Sequence, residues 1–370
     1  MRKALFLAWA VCCILPLRAA NPYDNPDTLY VAGDGSEAFR TISEAVEVCR
    51  AFMDYHKVIF VKKGVYKEKL IIPQWLQNIE ICGEDRDQTI ITWDDHANIR
   101  KMGTFRTFTV RVDANDITFR NITIENNAPR LGQAVALHTQ GDRLQFVNCR
   151  FLGNQDTVYT GMPRTRLYFI DCYIEGTTDF IFGPSTAWFE RCSIFCKADS
   201  YITAASTPRD VPYGYIFNHC IVSCAQDVKQ VYLGRPWRDY GYTLFMNSEL
   251  PRQIRAEGWH PWRPEAVKTA RYLEYNNHGE GADRSHRVAW SRQLSQQEAQ
   301  DITISRVFDL HQEWRPAAII PEPIQQYVKT SFPGTMITKI DKERYGYDVE
   351  LSNDIDLKFN YQGMIIGMDD

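Results

Sequence analysis

The sequence predicts an all-β fold: a right-handed, single-stranded parallel β-helix with an N-terminal capping helix and a small α+β appendage at the C terminus. Three observations predict it. Strand-like segments recur at intervals of twenty residues or slightly more, a helix start signal precedes them, and a proline-rich break follows them. The 370 residues are enough for one large domain and a small one. The net charge of −4 provides no basic surface for a nucleic-acid partner.

Residues 1–20 have the pattern of a signal peptide. Arg2 and Lys3 form a basic start, and an uncharged apolar run and small residues follow. The apolar run is too short for a membrane span, and no later segment approaches the ~20 apolar residues that a span needs. Val11 precedes Cys12, where a lipoprotein signal requires a small residue. We therefore expect a secreted or periplasmic protein without a lipid anchor.

A helix is predicted at the N-terminal end of the β-helix. Thr41 and Glu44 have the spacing of a capping box, and apolar residues follow at helical intervals. The open end of a stack of coils needs a cover, so residues 38–53 are interpreted as an amphipathic helix that closes it.

The repeat itself is carried by four segments with a phenylalanine at the first position and a cysteine at the fourth. They are 146–151 (FVNCRF), 169–174 (FIDCYI), 189–194 (FERCSI) and 217–222 (FNHCIV). Strands at this period without intervening helices indicate a solenoid in which each coil buries its apolar face against its neighbours. Neighbouring coils then lie about 4.8 Å apart, and residues one repeat apart in sequence lie side by side.

Eight of the ten cysteines follow the predicted signal peptide, mostly in strand-like contexts that favour burial as small apolar side chains. No Cys-x-x-Cys pair or zinc-ligand spacing occurs, so we expect no metal. An exported protein can form disulfides, and the pair to test first is Cys196 with Cys224.

The C-terminal part of the sequence changes character after residue 315. We assign residues 21–315 to the β-helix, 316–323 to a proline-rich linker and 324–370 to a small α+β module. The module is predicted to contain a helix over 324–332 and strands over 337–341, 345–351 and 355–360, with a further extended segment over 364–367.

Polar residues recur at the repeat interval in the middle of the chain. Gln133 and Gln155 are 22 residues apart, and Asp156 and Asp179 are 23 residues apart, so successive coils should gather them on one face. A purely structural ladder of polar residues would show the same spacing. Two adjacent carboxylates acquire different pKa values, which suits a nucleophile with a general acid and equally a retaining glycosidase. The two amides favour acyl chemistry, because they can form an oxyanion hole.

The chain resembles the pectin methylesterases, carbohydrate esterases with a parallel β-helix fold, over residues 29–315. Five motifs in order carry the resemblance: 64–68 (GVYKE), 132–137 (GQAVAL), 153–159 (GNQDTVY), 179–183 (DFIFG) and 233–237 (LGRPW). The resemblance implies hydrolysis of the methyl esters of galacturonate units in pectin, giving pectate and methanol through an aspartyl acyl-enzyme. It implies no cofactor.

The resemblance also implies roles for individual residues. Asp179 would be the nucleophile, and Asp156 would protonate the departing methanol and then activate water. Gln133 and Gln155 would hold the oxyanion, and Arg235 would pair with Asp179.

Four further residues are expected to bind the polysaccharide. Trp237 would stack on a sugar ring, and Tyr159 and Phe182 would contact neighbouring subsites. Arg130 would meet a galacturonate carboxylate or remain a solvated loop charge.

The segments 345–353 (YGYDVELSN) and 357–363 (LKFNYQG) resemble the PepSY-like modules of exported bacterial proteins, and this resemblance implies a Gram-negative source. A simple extension that covers the last coil is the alternative. Two other functions remain open from the residues: a lyase or glycosidase on the same solenoid, and a non-catalytic sugar-binding β-helix. A lyase would need a calcium site of clustered acids, whereas only two acids are predicted to meet here. We expect a monomer that acts on a polysaccharide.

Overall fold

The computed structural model describes residues 28–53, 55–309, 314, 316, 321–335, 337–343, 345–351, 353 and 355–369. The predicted signal peptide lies outside the described residues, as does half of the predicted linker. The boundaries assigned at 315 and 323 therefore remain predictions.

Three parallel sheets form the body of the protein. The first sheet contains β1 (Thr28–Val31), β2 (Lys57–Val61), β5 (Ile79–Gly83), β8 (Ile117–Arg120), β11 (Leu144–Val147), β14 (Arg166–Ile170), β17 (Thr186–Glu190), β20 (Tyr215–Asn218), β23 (Tyr242–Met246), β24 (Arg271–Tyr275) and β25 (Arg292–Gln293). The second contains β3 (Gly64–Lys67), β6 (Thr89–Trp93), β9 (Thr123–Asn126), β12 (Arg150–Leu152), β15 (Tyr173–Gly176), β18 (Ser193–Cys196) and β21 (Ile221–Cys224). The third contains β4 (Leu70–Ile72), β7 (Val110–Val112), β10 (Leu137–Thr139), β13 (Val158–Thr160), β16 (Ile181–Gly183), β19 (Tyr201–Ala205) and β22 (Tyr232–Gly234).

The order of these strands confirms the predicted parallel β-helix. From β2 to β22 the chain visits the first, second and third sheets in turn, so every coil contributes one strand to each. Within each sheet a strand pairs in parallel with the equivalent strand of the next coil, for example β11 with β14. The apolar side chains that point inward from all three sheets form one continuous core.

The repeated phenylalanines of the sequence form a column through this core. The rings of Phe146, Phe169, Phe189 and Phe217 stack with centroid separations of 4.6, 4.7 and 4.4 Å. These separations match the spacing between strands, because residues in register on adjacent coils repeat at that distance. The column therefore fixes the register of the coils from inside.

In seven successive coils, from the one that contains β8 onward, a single residue with a positive φ follows the strand of the first sheet and turns the chain away from that sheet. Asparagine tolerates this conformation best after glycine, because its short side chain bonds locally. The corner residues are Asn121, Asn148, Asp171, Arg191, His219, Asn247 and Asn276, with φ between 48° and 54°. Neighbouring members also bond along the axis, as where the Asn276 amide donates to Asn247 at 2.9 Å.

The N-terminal helix α1 (Ile42–Glu47) begins at the predicted capping box, with Thr41 as its N-cap. It is much shorter than the predicted range of 38–53, because the chain leaves helical geometry after Val48. Glu68 accepts backbone N–H bonds from Ile42 and Ser43, both at 2.9 Å. The acidic residue of the first family-like motif is therefore a helix-capping residue.

Two short helices that the sequence did not predict follow the last strand of the first sheet, and the second of them packs on the outer face of that sheet. They are α2 (Gln296–Gln300) and α3 (Ile304–Phe308). Val307 and Phe308 pack with Trp188, Ile216 and other apolar residues that point outward from this sheet. In the described part of this domain there are also four single 3₁₀ turns: Ile99–Lys101, Thr104–Arg106, Ala266–Lys268 and Glu280–Ala282.

The C-terminal module is the predicted small α+β unit. Helix α4 (Glu322–Ser331) is followed by an antiparallel sheet of β26 (Ile337–Glu343), β27 (Gly346–Leu351), β28 (Asp356–Asn360) and β29 (Ile365–Asp369). Ile324 and Val328 of the helix pack on Val349, Leu357 and Phe359 of the sheet, forming a core separate from that of the β-helix.

Candidate active site

Two carboxylates lie side by side on adjacent coils at the third sheet. Val158 pairs with Ile181, and Asp156 and Asp179 each precede these partners by two residues. The Asp156 N–H donates to Thr178 at 3.1 Å, which joins the two coils directly at this point. Both aspartates have a positive φ, at 68° and 48°, and both are largely buried, with exposed fractions of 8% and 6%. The structure thus brings the predicted pair together.

Arg235 forms a two-point ion pair with Asp179. Its Nε donates to Oδ1 at 2.9 Å and its Nη2 to Oδ2 at 2.5 Å, the fork geometry that gives the strongest arginine–carboxylate contact. The guanidinium carbon lies 3.8 Å from the ring centroids of both Tyr201 and Trp262. Two rings at this distance must lie on opposite faces, so the guanidinium is held between them.

The environment gives the two carboxyl groups different acidities. Burial raises the pKa of Asp156 well above its ordinary value, and the neighbouring charge of Asp179 raises it further. Burial also raises the pKa of Asp179, but the hydrogen bonds and charge of Arg235 oppose this rise. The first proton taken up by the pair therefore resides on Asp156, and Asp179 carries the negative charge.

Gln133 and Gln155 lie beside this pair on the neighbouring coils. The Ala134 N–H donates to the Gln155 carbonyl oxygen at 3.0 Å, so the two glutamines occupy adjacent positions along the axis. Both side chains are half-buried. Within the described part of the chain neither side-chain amide has a hydrogen-bond partner, so both are free to donate to a bound group.

A row of aromatic rings runs along the third sheet next to the carboxylates. Tyr159 lies 4.8 Å from Phe105 and 4.7 Å from Phe182, and Phe182 lies 5.8 Å from Trp237. Phe182 is only 4% exposed, so its ring supports Tyr159 and Trp237 and leaves little surface for a sugar. Tyr159 and Trp237 are half-buried and open to solvent on one side.

The remaining predicted binding residue, Arg130, is exposed at the second-sheet side of the same coils. Its Nε donates to Asn154 at 3.2 Å and its Nη2 to the Lys197 carbonyl at 3.5 Å. Arg130 therefore contacts the residue that precedes Gln155 in the sequence, and both of its hydrogen bonds are weak.

Sequence reasoning missed Tyr201, Trp262 and His138. Tyr201 lies 22 residues after Asp179, so the same repeat interval extended by one coil would have found it. His138 contacts the rings of Phe105 and Tyr159, and burial lowers its pKa to about 4. Its neutral ring accepts from Gln140 and donates to the Phe105 carbonyl at 3.3 Å, which fixes one end of the aromatic row.

Within the described ranges no group of three or more His, Cys, Asp or Glu side chains is arranged to hold a metal ion. No helix in that same part of the chain is long and apolar enough to cross a membrane.

Two family profiles match successive parts of the chain. The pectinesterase family profile matches residues 28–310, and the profile described as putative beta-lactamase-inhibitor-like, PepSY-like, matches residues 308–367. Pectinesterase 31 of Arabidopsis thaliana is 37% identical over 281 residues, covering 73% of this chain and 88% of its own length. Probable pectinesterase/pectinesterase inhibitor 21 of the same plant is 33% identical over 82% of this chain, which spans about half (48%) of that relative.

Solved structures agree with these relatives. Pectin methylesterase from carrot is 33% identical, with a TM-score of 0.73 over 76% of this chain and 92% of its own. Pectin methylesterase PemA from Erwinia chrysanthemi is 28% identical, with a TM-score of 0.67 over 78% of this chain and 98% of its own. Another neighbour, with a TM-score of 0.68, is a pectin methylesterase mutant in complex with a hexasaccharide.

The fold and the site define a parallel β-helix enzyme with two buried carboxylates at one of its three sheets. The chain belongs to the pectinesterase family, whose members are carboxylic ester hydrolases.

Proposed function

We propose that this protein hydrolyses the methyl esters of galacturonate units in pectin, with Asp179 as nucleophile. The observation that carries the proposal is the asymmetry of the carboxylate pair: only Asp179 is bonded to a guanidinium, while Asp156 is buried beside it without that contact. A site of this kind supplies an anion that attacks and a neutral acid that donates, which are the two groups that ester cleavage needs.

In the first half of the reaction the Asp179 carboxylate attacks the ester carbonyl carbon. The oxyanion that develops accepts hydrogen bonds from the free amides of Gln133 and Gln155, which stabilise it more than the planar ester. Asp156 gives its proton to the methoxy oxygen, methanol leaves, and the galacturonyl group remains as an anhydride on Asp179.

In the second half Asp156, now a carboxylate, takes a proton from water. The water oxygen attacks the acyl carbon, the same amides hold the second oxyanion, and the bond to Asp179 breaks. When Asp179 leaves as a carboxylate, Arg235 pairs with it again and holds it in the orientation needed for the next attack. One methanol and one carboxylic acid form per water consumed, the acid releases its proton to solvent to become a carboxylate, and Asp156 ends the cycle protonated.

The aromatic row supplies a surface for the sugar chain. Tyr159 and Trp237 are the half-exposed rings next to the carboxylates, and apolar ring faces are suited to contact with the C–H faces of sugars. Phe182 supports both rings from below. Arg130 binds a carboxylate of an already demethylated unit, a role supported by its exposure and by its contact with Asn154, the residue before Gln155.

We further infer that the protein is exported through residues 1–20, as a secreted or periplasmic Gram-negative protein, and acts as a monomer. Size-exclusion chromatography with light scattering tests the oligomeric state. N-terminal sequencing of protein recovered outside the cytoplasm tests the signal peptide.

The test of the activity is methanol release from highly methylated pectin, with parallel assays for unsaturated products and for reducing ends. We expect methanol without chain cleavage. The Asp179→Asn variant should lose roughly a thousandfold or more in kcat, because the amide is no nucleophile. Asp171→Asn is the matched control, since Asp171 also has a positive φ and a two-point contact with an arginine, Arg191, but is exposed and remote from the site. Near-normal activity of a folded Asp179→Asn variant would show that another residue attacks the ester.

A further inference from the structure

Two cysteines lie directly opposite each other at the ends of neighbouring strands of the second sheet. Cys196 is the last residue of β18, Cys224 is the last residue of β21, and the two are paired in register. Paired residues on adjacent parallel strands are about 4.8 Å apart, within the range of Cα separations that a disulfide bridges. The two thiols are close enough for each to shift the pKa of the other.

The other cysteines of the core have a different environment. Cys149, Cys172, Cys192 and Cys220 form a column of buried thiols, each at most 1% exposed. Each sulfur donates to the carbonyl oxygen of the phenylalanine on the preceding coil, at 3.2 to 3.6 Å. Burial and this hydrogen bond keep these thiols neutral and out of reach of an oxidant.

Cys196 and Cys224 both lack this hydrogen bond, and only Cys196 is fully buried. In the described part of the protein neither sulfur donates to a backbone carbonyl, and the Cys224 side chain is half-buried and reaches solvent. The pair therefore combines a reachable thiol with a buried second thiol in contact with it.

We propose that Cys196 and Cys224 are a redox modification site, which a disulfide-bearing oxidant such as glutathione disulfide converts into an intramolecular disulfide in the folded protein. The Cys224 thiolate attacks one sulfur of the oxidant, forms a mixed disulfide and releases one thiol. Cys196 then attacks the Cys224 sulfur, its proton goes to the departing thiolate, and a second thiol is released. Two protein thiols are oxidised and one oxidant disulfide is reduced to two thiols.

The order of the two steps follows from the acidities of the thiols. The hydrogen bond from Cys196 lowers the pKa of Cys224, although burial and the charge of Asp199 oppose this. The same contact and burial raise the pKa of Cys196 well above its ordinary value. Since the thiolate is the attacking species, Cys224 reacts first.

The bond would join the two coils that position the arginine of the candidate site. Tyr201, which packs on Arg235, follows Cys196 by five residues, and Tyr232 and Arg235 follow Cys224. The intervening turns are already linked by Asp199, which accepts from the backbone of Lys229 at 2.6 Å and Gln230 at 3.0 Å. A disulfide here should therefore stabilise the folded state without moving the site, raising Tm by roughly 5 °C.

The test uses the full chain, reduced, folded and then incubated with glutathione disulfide. Alkylation of the remaining thiols and peptide mapping without reductant should yield one linked pair, containing residues 196 and 224, while the thiols of the column are recovered free. Unlinked thiols at both positions, a stable mixed disulfide at Cys224, or a link within the column would each overturn the proposal.

Two variants make the thermal measurement specific. Cys224→Ser should lose the Tm difference between oxidised and reduced protein. Cys49→Ser is the matched control, because Cys49 is also half-buried but donates to the Ala45 carbonyl at 3.3 Å, and it should keep the difference. A difference that persists in Cys224→Ser would assign the redox effect to other cysteines. Peptide mapping of the unmodified chain decides the question even where a variant folds poorly.

Discussion

Replacement of Arg235 by alanine isolates the contribution of one ion pair to catalysis. The pair has two hydrogen bonds, of 2.9 and 2.5 Å, and its side chains are only 19% and 8% exposed. Removal of one partner from a buried pair of this quality costs about 3–5 kcal/mol, because the other charge is left without compensation. Each 1.36 kcal/mol lost from transition-state stabilisation is tenfold in rate, so a loss of this size lowers kcat/KM by about 10² to 5 × 10³.

The pH profile shows whether the loss acts through Asp179. Arg235 opposes the rise that burial imposes on the pKa of Asp179, so its removal should move that pKa upward. The active form is the carboxylate, and activity is lost as the pH falls through the pKa. The acidic limb of the profile should therefore move to higher pH in Arg235→Ala, and raising the pH should recover part of the rate. Arg235→Lys keeps the charge but loses the fork, and we expect an intermediate rate with a smaller shift.

The assay is initial-rate methanol release across the pH range, with the folded state checked by circular dichroism. Arg191→Ala is the matched control, because Arg191 makes the same two-point contact with Asp171 at an exposed corner of the β-helix. It should leave both rate and profile unchanged. An Arg235→Ala variant with the profile and kcat/KM of the parent protein would refute the assignment of Asp179 as the ionised partner.

Two further predictions concern the groups around the carboxylates. Gln155→Ala should lower kcat by about 10² with little change in KM, because the Gln155 amide stabilises the oxyanion and not the bound ester. Gln145→Ala, on the first sheet, is the control. A rise in KM alone in Gln155→Ala would instead indicate a role in substrate binding. Asp156→Asn should raise Tm near neutral pH. The folded state raises the pKa of Asp156, so the folded protein becomes less stable as the pH rises from the ordinary aspartate pKa towards the raised value, and asparagine removes this loss. The difference in Tm should disappear below the ordinary aspartate pKa of about 3.9, and a destabilised variant at neutral pH would contradict this sign.

The repeat interval was sufficient to predict the carboxylate pair, because in-register coils convert sequence spacing directly into spatial position. Asp156 and Asp179 follow that rule, and so does Tyr201, which the interval would have found one coil further on. Trp262 was not predictable in this way, because the segments between coils vary in length beyond residue 205 and the interval no longer applies. Its contact with Arg235 depends on how a long turn folds back over the sheet.

Secondary structure was least predictable where tertiary packing decides it. The capping-box signal at Thr41 located the start of α1, but the apolar spacing that continued to Cys49 did not extend the helix. Helices α2 and α3 have only five residues each, too few for a periodic pattern, and the position of α3 depends on the outward-facing apolar residues of the first sheet. The sequence of the C-terminal module carried clearer alternation, and its strands appear where they were predicted.

Because the site is assembled from consecutive coils, this protein tolerates changes in length very unequally along its chain. Duplication of one complete repeat preserves the stacking of a solenoid, since every coil still meets an equivalent neighbour. Between Asp156 and Asp179, however, one inserted coil would double their separation along the axis to about 10 Å. Evolution can therefore lengthen or shorten the β-helix by whole repeats only beyond the coils that carry Gln133 and Arg235, and within that interval the number of repeats is as constrained as any catalytic residue.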